Sequence, residues 1–162
     1  MFSKTTNSLM QLFTVAKKIE GKIKLQKIVY ILQEKSLVDF ELGYKYALYG
    51  PYSEDLQIEV EYLASIGFLK EEANVGTYEL NESFPLKIEV NDGVKMSEDL
   101  ISQLLSKESQ LLEVTSTIYY LRSHQYKEES LMKKKIQLLK PNLQDRIESA
   151  FEFYSSLEET IA

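Results

Sequence analysis

The chain has 162 residues, of which 44% are hydrophobic and 27% charged, values typical of a single soluble globular domain. It contains no cysteine, which excludes disulfides, thiolate metal sites and a cysteine nucleophile. The formal net charge is −6, and an acidic chain is poorly suited to non-specific binding of nucleic acid.

The charge is unevenly distributed along the chain. Residues 1–37 carry seven lysines and two glutamates, whereas residues 38–110 carry five lysines and fifteen acidic residues. Only the N-terminal block therefore offers a positive patch. The N-terminus lacks the apolar core and cleavage site of a signal peptide, and no apolar run approaches the roughly 20 residues that span a bilayer. We expect a cytoplasmic protein with no membrane partner.

Helical periodicity predicts two helices at the start of the chain. Residues 4–18 place apolar side chains at three- and four-residue spacing, and Gly21 ends this segment. Residues 22–36 repeat the pattern, with one apolar stripe formed by Leu25, Ile28, Val29 and Leu32. The lysines of this second helix fall mostly away from the stripe.

The stretch YALYGPYSEDL, residues 46–56, predicts a corner between a strand and a third helix. Residues 44–49 alternate as a short strand, and Gly50–Pro51 is predicted to end it. Ser53 is suited to cap a helix over about residues 54–66, because its hydroxyl can accept from N–H groups of the first turn. Glu54 and Asp55 then lie where the helix dipole favours negative charge.

The remaining chain predicts a small group of strands followed by helices. Phe68 and Leu69 begin a strand, a turn follows at residues 74–76, and residues 77–80 return. A further strand is predicted at residues 86–90. Helical periodicity then covers residues 97–106, 108–123, 127–139 and about 143–160, the last of these capped by Asn142.

The order helix, helix, short strand, helix, strand, strand is that of a winged helix. We therefore predict a mainly helical α+β fold. Residues 1–95 would form a winged-helix-like half with a small antiparallel wing. Residues 96–162 would form a helical half packed on it, with one shared core.

Several segments resemble the YwgA-like proteins, a largely uncharacterised family of bacteria, archaea and their viruses. The resemblance lies in KLQKIVYILQ at 24–33, YALYGPYSEDL at 46–56 and LASIGFLKEE at 63–72. TSTIYYL at 115–121 and KPNLQDRIESAF at 140–151 match the helical C-terminal half of the same group, so most of the chain is covered. The family is distantly similar to the Panacea antitoxin domain. That resemblance implies neutralisation of a partner by direct binding, and it supplies no catalytic residues.

Patterns for catalysis are sparse. His124 is the only histidine, which excludes a histidine-based metal site or a histidine pair within one chain. Neighbouring carboxylates such as Glu71 and Glu72 point apart on regular elements, and no glycine-rich phosphate loop occurs. We predict that the protein is not an enzyme and that it has no catalytic residues, cofactor or metal.

The third helix and the corner before it are the predicted binding surface. Carboxylates on this helix would repel DNA phosphates but would steer a basic protein partner. Exposed tyrosines supply interface area at low entropic cost. We predict a non-enzymatic protein–protein interaction module, either antitoxin-like or a phage-associated regulator. Its contacts would come from the wing around residues 74–77 and from Tyr49, Tyr52, Glu54, Asp55, Glu59 and Glu61.

The alternative is a DNA-binding winged-helix transcriptional regulator that uses the basic N-terminal helices. Lys22, Lys24 and Lys27 would then contact phosphates. Exposed lysines also commonly cover the polar face of an amphipathic helix without any binding role.

Overall fold

A computed structural model describes residues 2–73 and 75–159 of the chain. The N-terminal elements are α1 (Lys4–Ala16), β1 (Lys18–Ile19), α2 (Lys22–Glu34), β2 (Lys45–Ala47), β3 (Gly50–Tyr52), α3 (Glu54–Ser65), β4 (Leu69–Glu72) and β5 (Thr77–Leu80). The C-terminal elements are α4 (Asp92–Met96), α5 (Glu98–Leu105), α6 (Ser109–Ser123), α7 (Glu129–Leu139), a 3-10 helix (Pro141–Arg146) and α8 (Ile147–Glu159). The predicted mainly helical α+β class is confirmed.

Within residues 2–73 and 75–159 the strands form two small antiparallel sheets. One is three-stranded in the order β1–β5–β4, with Ile19 opposite Tyr78 and Leu69 opposite Leu80. The other is a hairpin of β2 and β3 in which Ala47 pairs with Gly50, so that Leu48 and Tyr49 form the turn. This hairpin leads directly into α3.

Local chemistry fixes the ends of α3. The Ser53 hydroxyl accepts a hydrogen bond from the Leu56 amide at 3.2 Å, which confirms the predicted cap. Gly67 follows the helix with φ +86°, a backbone conformation that favours glycine. Leu56, Val60 and Leu63 are buried on the inner side of the helix.

The core is one cluster of apolar side chains drawn from both predicted halves of the chain. Helices α2 and α6 run side by side through it, and residues 112–119 of α6 are all buried. Tyr30 of α2 lies 6.5 Å from Tyr120 of α6 between ring centroids. The hairpin of β2 and β3 packs against both helices.

Two predicted boundaries are wrong. Gly50–Pro51 does not end a strand but begins β3, because the tight turn lies two residues earlier, at Leu48–Tyr49. No strand forms at residues 86–90. There the chain runs along the core with Ile88 and Val90 half-buried.

The start of the last helix also differs from its prediction. Asn142 does not cap α8 but lies inside the 3-10 helix that precedes it, so α8 begins at Ile147. Pro141 stands at the start of that 3-10 helix, where its missing N–H group breaks no intrahelical bond.

Candidate protein-docking surface

One face of α3 combines carboxylates with exposed apolar side chains. Residues three and four apart are neighbours on a helix surface, and this spacing joins Glu54, Asp55, Ile58, Glu61 and Tyr62. We call these five residues the α3 face. Ile58 is 60% exposed and Tyr62 is 43% exposed, although both are large hydrophobic residues. The three carboxylate side chains around them are exposed as well.

The negative charge of the α3 face is only weakly compensated. Glu54 lies 3.4 Å from the Lys45 ammonium, and both side chains are mostly exposed, so solvent screens this pair. Glu61 accepts a hydrogen bond from the neutral Gln57 amide at 3.3 Å. In the described part of the chain Asp55 and Glu61 form no ion pair. The face therefore offers charge to a basic partner.

The acidic character continues onto the antiparallel strands β4 and β5, the predicted wing. The Gln57 amide also lies 3.3 Å from the Tyr78 hydroxyl, which places β5 beside α3. Burial raises the pKa of Tyr78, and the charges of Glu71 and Glu61 add to the increase, so both carboxylates lie near this hydroxyl. Val75 is exposed in the turn that joins the two strands.

A buried lysine cluster, formed by Lys27, Glu113 and Lys140, lies beneath the hairpin that leads into α3. The Lys140 ammonium lies 2.6 Å from a Glu113 carboxylate oxygen, and both side chains are buried. The Lys27 ammonium donates to the Pro51 carbonyl of β3 at 2.6 Å. Burial lowers the pKa of Lys27 to about 7, with the Glu113 carboxylate opposing the decrease and the Lys140 ammonium adding to it.

A cleft lies between the C-terminal ends of α2 and α6 and the helix α8. It measures about 550 Å³ and is lined by charged and aromatic side chains. Its polar groups are largely occupied with each other, because Glu158 accepts from the Tyr119 hydroxyl at 2.9 Å and also pairs with Lys35. This cleft is a weaker candidate site than the α3 face.

Comparison with known proteins identifies the family. No protein-family profile matches the chain, and no solved structure does. The protein described as "Uncharacterized protein YwgA" of Bacillus subtilis (strain 168) is 34% identical over 119 residues, which cover 69% of this chain and 71% of the relative. The chain belongs to the YwgA family. The resemblance to YwgA-like proteins is thereby confirmed, and it brings no stated activity with it.

The predicted partner-binding residues of this YwgA-family chain do not all face outward. Tyr49 is exposed in the hairpin turn, whereas Tyr52 is half-buried. Glu59 accepts a hydrogen bond from the Thr6 hydroxyl at 2.6 Å, so its carboxylate ties α3 to α1. Asn74 of the predicted wing surface lies outside the described residues.

Sequence reasoning missed Ile58 and Tyr62 as apolar anchors. The available signal was their position: they are large apolar residues at four-residue spacing, off the stripe of Leu56, Val60 and Leu63. Two neighbouring apolar residues on the polar side of an amphipathic helix, surrounded by polar residues, are typical of a docking surface.

The predicted patch of three lysines does not exist as a surface. Lys22 is exposed, Lys24 donates to the Leu105 carbonyl at 3.0 Å, and Lys27 is 1% exposed. In the DNA-binding alternative Lys27 would reach phosphates, but it points between α6 and the hairpin. In the structure every residue from Leu25 to Leu32 is buried. The buried side of α2 is therefore wider than the predicted apolar stripe, and it includes Lys27.

The described residues offer neither a three-ligand metal cluster nor a membrane-spanning helix. In residues 2–73 and 75–159 no group of three or more histidine, aspartate or glutamate side chains is placed to hold a metal ion. His124 stacks on Tyr120 at the exposed end of α6, with ring centroids 4.1 Å apart. Over the same residues, no helix is both long enough and apolar enough to span a membrane.

Proposed function

We propose that this YwgA-family protein is a non-enzymatic interaction module that binds a basic protein partner through the α3 face. The observation that carries the proposal is the exposure of Ile58 and Tyr62 between three exposed carboxylates on one helix. Apolar side chains of this kind anchor an interface when the partner excludes water from them. The surrounding carboxylates accelerate association with a positively charged surface.

The same face argues against a DNA-reading role for α3. Helices that read the major groove present arginine, lysine, asparagine or glutamine to base edges and phosphates. Here the corresponding surface presents Glu54, Asp55 and Glu61, which repel phosphates. The alternative basic surface on α2 loses Lys27 to the core.

The more specific proposal is an antitoxin-like or phage-associated role, in which binding neutralises the partner. Its basis is the expectation from the sequence that YwgA-like proteins are distantly similar to the Panacea antitoxin domain. The acidic α3 face suits this role, because a basic partner that acts on nucleic acid would have its phosphate-binding surface covered by carboxylates.

The test is a comparative capture experiment on nuclease-treated lysate of the organism that produces the protein. Tagged wild type is compared with the double variant Ile58→Ser/Tyr62→Ser and with Met96→Ser, a matched change at a highly exposed apolar residue on α4. We expect a stoichiometric basic protein with the wild type and with Met96→Ser, and its loss with the double variant. Capture that is equal for all three proteins would contradict the proposal.

A second variant tests the contribution of charge. Glu61→Lys should weaken binding of the captured partner, and wild-type binding should weaken as salt rises from low to physiological concentration. Recovery of nucleic acid from a parallel untreated lysate, with loss of the protein partner on nuclease treatment, would favour the DNA-binding alternative instead.

A further inference from the structure

The hairpin of β2 and β3 covers an excess of buried positive charge. Lys27 and Lys140 are 1% and 2% exposed, and Glu113 is the one carboxylate among the three residues of the buried lysine cluster. When both lysines are protonated, the cluster carries a formal charge of +1. Glu113 pairs with Lys140 at 2.6 Å, so Lys27 is left with the Pro51 carbonyl as its hydrogen-bond acceptor.

The groups that face Lys27 come from three elements. Helix α6 contributes Glu113 and, beside Gly50, the Thr117 hydroxyl. The end of α7 contributes Lys140, whose ammonium lies 5.4 Å from the Tyr46 ring and 3.5 Å from the Leu48 carbonyl. The hairpin contributes the Pro51 carbonyl. The Lys140 ammonium therefore repels a charged Lys27, and the Glu113 carboxylate is already bonded to Lys140.

An excess ammonium in the protein interior is unfavourable unless it loses its proton or reaches water. Of the elements over the cluster, the hairpin is the one best able to move. It has three residues in each strand, and two-stranded hairpins are marginally stable on their own. Leu48 at its tip is 81% exposed, whereas α2 and α6 are held in the core.

We propose that the hairpin opens and closes in a proton-linked equilibrium centred on Lys27. In the closed form Lys27 is a neutral amine that donates to the Pro51 carbonyl. Opening breaks this hydrogen bond, hydrates the amine and lets it take up one proton from water. The inference concerns the hairpin itself and does not depend on the proposed protein partner.

The difference between the pKa values of Lys27 in the closed and open forms sets how strongly pH shifts the opening equilibrium. A hydrated lysine loses its proton near pH 10.4, and the closed form does so at about pH 7. Between these values, each unit of decrease in pH favours the open form up to about tenfold. The opening equilibrium thus responds most strongly midway between these two pH values, and it levels off below pH 7 and above about pH 10.4.

Amide hydrogen exchange measured by NMR between pH 7 and 8.5 tests the proposal directly. After correction for intrinsic exchange rates, protection of the slow amides in residues 45–52 should rise at least about tenfold over this range. The buried amides of α6 should remain more protected, which separates hairpin opening from global unfolding. Protection that does not change with pH in the hairpin would overturn the proposal.

Two matched variants assign the effect to Lys27. Lys27→Met should abolish the pH dependence of hairpin protection, whereas Lys134→Met, at an exposed lysine of α7, should retain it. A slope that persists in Lys27→Met would overturn the proposal. His124→Asn should retain the slope, which rules out an effect transmitted from His124 through Tyr120 to Tyr46.

A direct titration keeps the test independent of whether Lys27→Met folds. In wild type labelled with 13C-lysine, the Lys27 Cε resonance should titrate near pH 7, far below the other lysine signals. Titration of every lysine Cε above about pH 9.5 would overturn the proposal, since that is the range of hydrated lysine.

Discussion

The side chain of Gln26 holds the backbone of Ser53 through two hydrogen bonds. The Ser53 amide donates to Gln26 Oε1 at 2.9 Å, and Gln26 Nε2 donates to the Ser53 carbonyl at 2.9 Å. Both residues are buried. Because Ser53 is the N-cap of α3, this pair fixes the start of the helix that carries the α3 face.

Replacing Gln26 should therefore be more damaging than replacing an equivalent glutamine near solvent. Gln26→Leu leaves the N–H and carbonyl of Ser53 unpaired in the interior, which should lower the free energy of unfolding by about 2–4 kcal/mol. Gln33 forms the same two-bond arrangement with Leu42 but is half-buried, so water can replace it. Gln33→Leu should cost about 1 kcal/mol or less, as measured by urea denaturation. Equal losses of unfolding free energy in the two variants would contradict this prediction.

Gly50 is required by the close approach of the hairpin to α6. Its φ is +94°, and a Cβ at this position would lie 3.2 Å from the Thr117 hydroxyl oxygen. Gly50→Ala should destabilise the protein by about 1–3 kcal/mol, because it adds both strain and crowding.

Gly43 is the matched control for that substitution. A Cβ there meets no atom within 4 Å, and its φ lies outside the left-handed region. Gly43→Ala should be neutral or should stabilise by up to about 1 kcal/mol, because it restricts the unfolded chain. Thermal unfolding of the two variants measures the difference, and a similar loss in both would show that the contact with Thr117 is unimportant.

Features determined by neighbouring residues were predictable from the sequence. The Ser53 cap, the end of α3 at Gly67 and the helical C-terminal half all follow from local periodicity and capping chemistry. The pairing of β1 with β5 was not predictable, because Lys18–Ile19 is two residues long and its partner lies about sixty residues away. Such short strands are set by tertiary packing rather than by pattern.

The candidate site was predicted in part. The acidic character of α3 was readable from its composition, but the inward bond of Glu59 to Thr6 depends on how α1 packs. The burial of Lys27 was equally hidden, since a lysine beside an apolar stripe is usually exposed. Its acceptor, the Pro51 carbonyl, lies twenty-four residues further along the chain, on a hairpin that the sequence did not reveal.

The buried pair of Lys140 and Glu113 should be sensitive to the loss of either partner. Lys140→Met leaves the buried Glu113 carboxylate without its hydrogen-bonded ammonium, with Lys27 as the remaining nearby cation, and should lower the free energy of unfolding by up to about 3–5 kcal/mol. The double variant Lys140→Met/Glu113→Leu removes both charges and should recover most of that loss. Urea denaturation of the wild type, the single variants Lys140→Met and Glu113→Leu, and the double variant measures the coupling.

Lys133 provides the exposed comparison. It pairs with Glu129 and Glu148, whose side chains are 59% and 75% exposed. Lys133→Met should leave stability nearly unchanged, as is usual for surface pairs. A loss as large as that of Lys140→Met would show that burial does not determine the strength of these pairs.

Global stability should pass through a maximum at alkaline pH. The pKa of Lys27 is lowered to about 7 by burial, whereas an unfolded lysine titrates near 10.4. Between these values the unfolded chain binds more protons than the folded one. The free energy of unfolding should therefore rise with pH over this window, by up to about 1.4 kcal/mol per pH unit.

The decline above the maximum has a separate cause. Burial raises the pKa of Tyr30, Tyr44 and Tyr119 above the ordinary value for tyrosine. Above about pH 10 the unfolded chain loses these phenolic protons first, so stability falls as pH rises further. Urea denaturation from pH 6 to 11 should give a dome for the wild type and remove its rising limb in Lys27→Met. A rising limb of equal slope in both proteins would assign that limb to other groups.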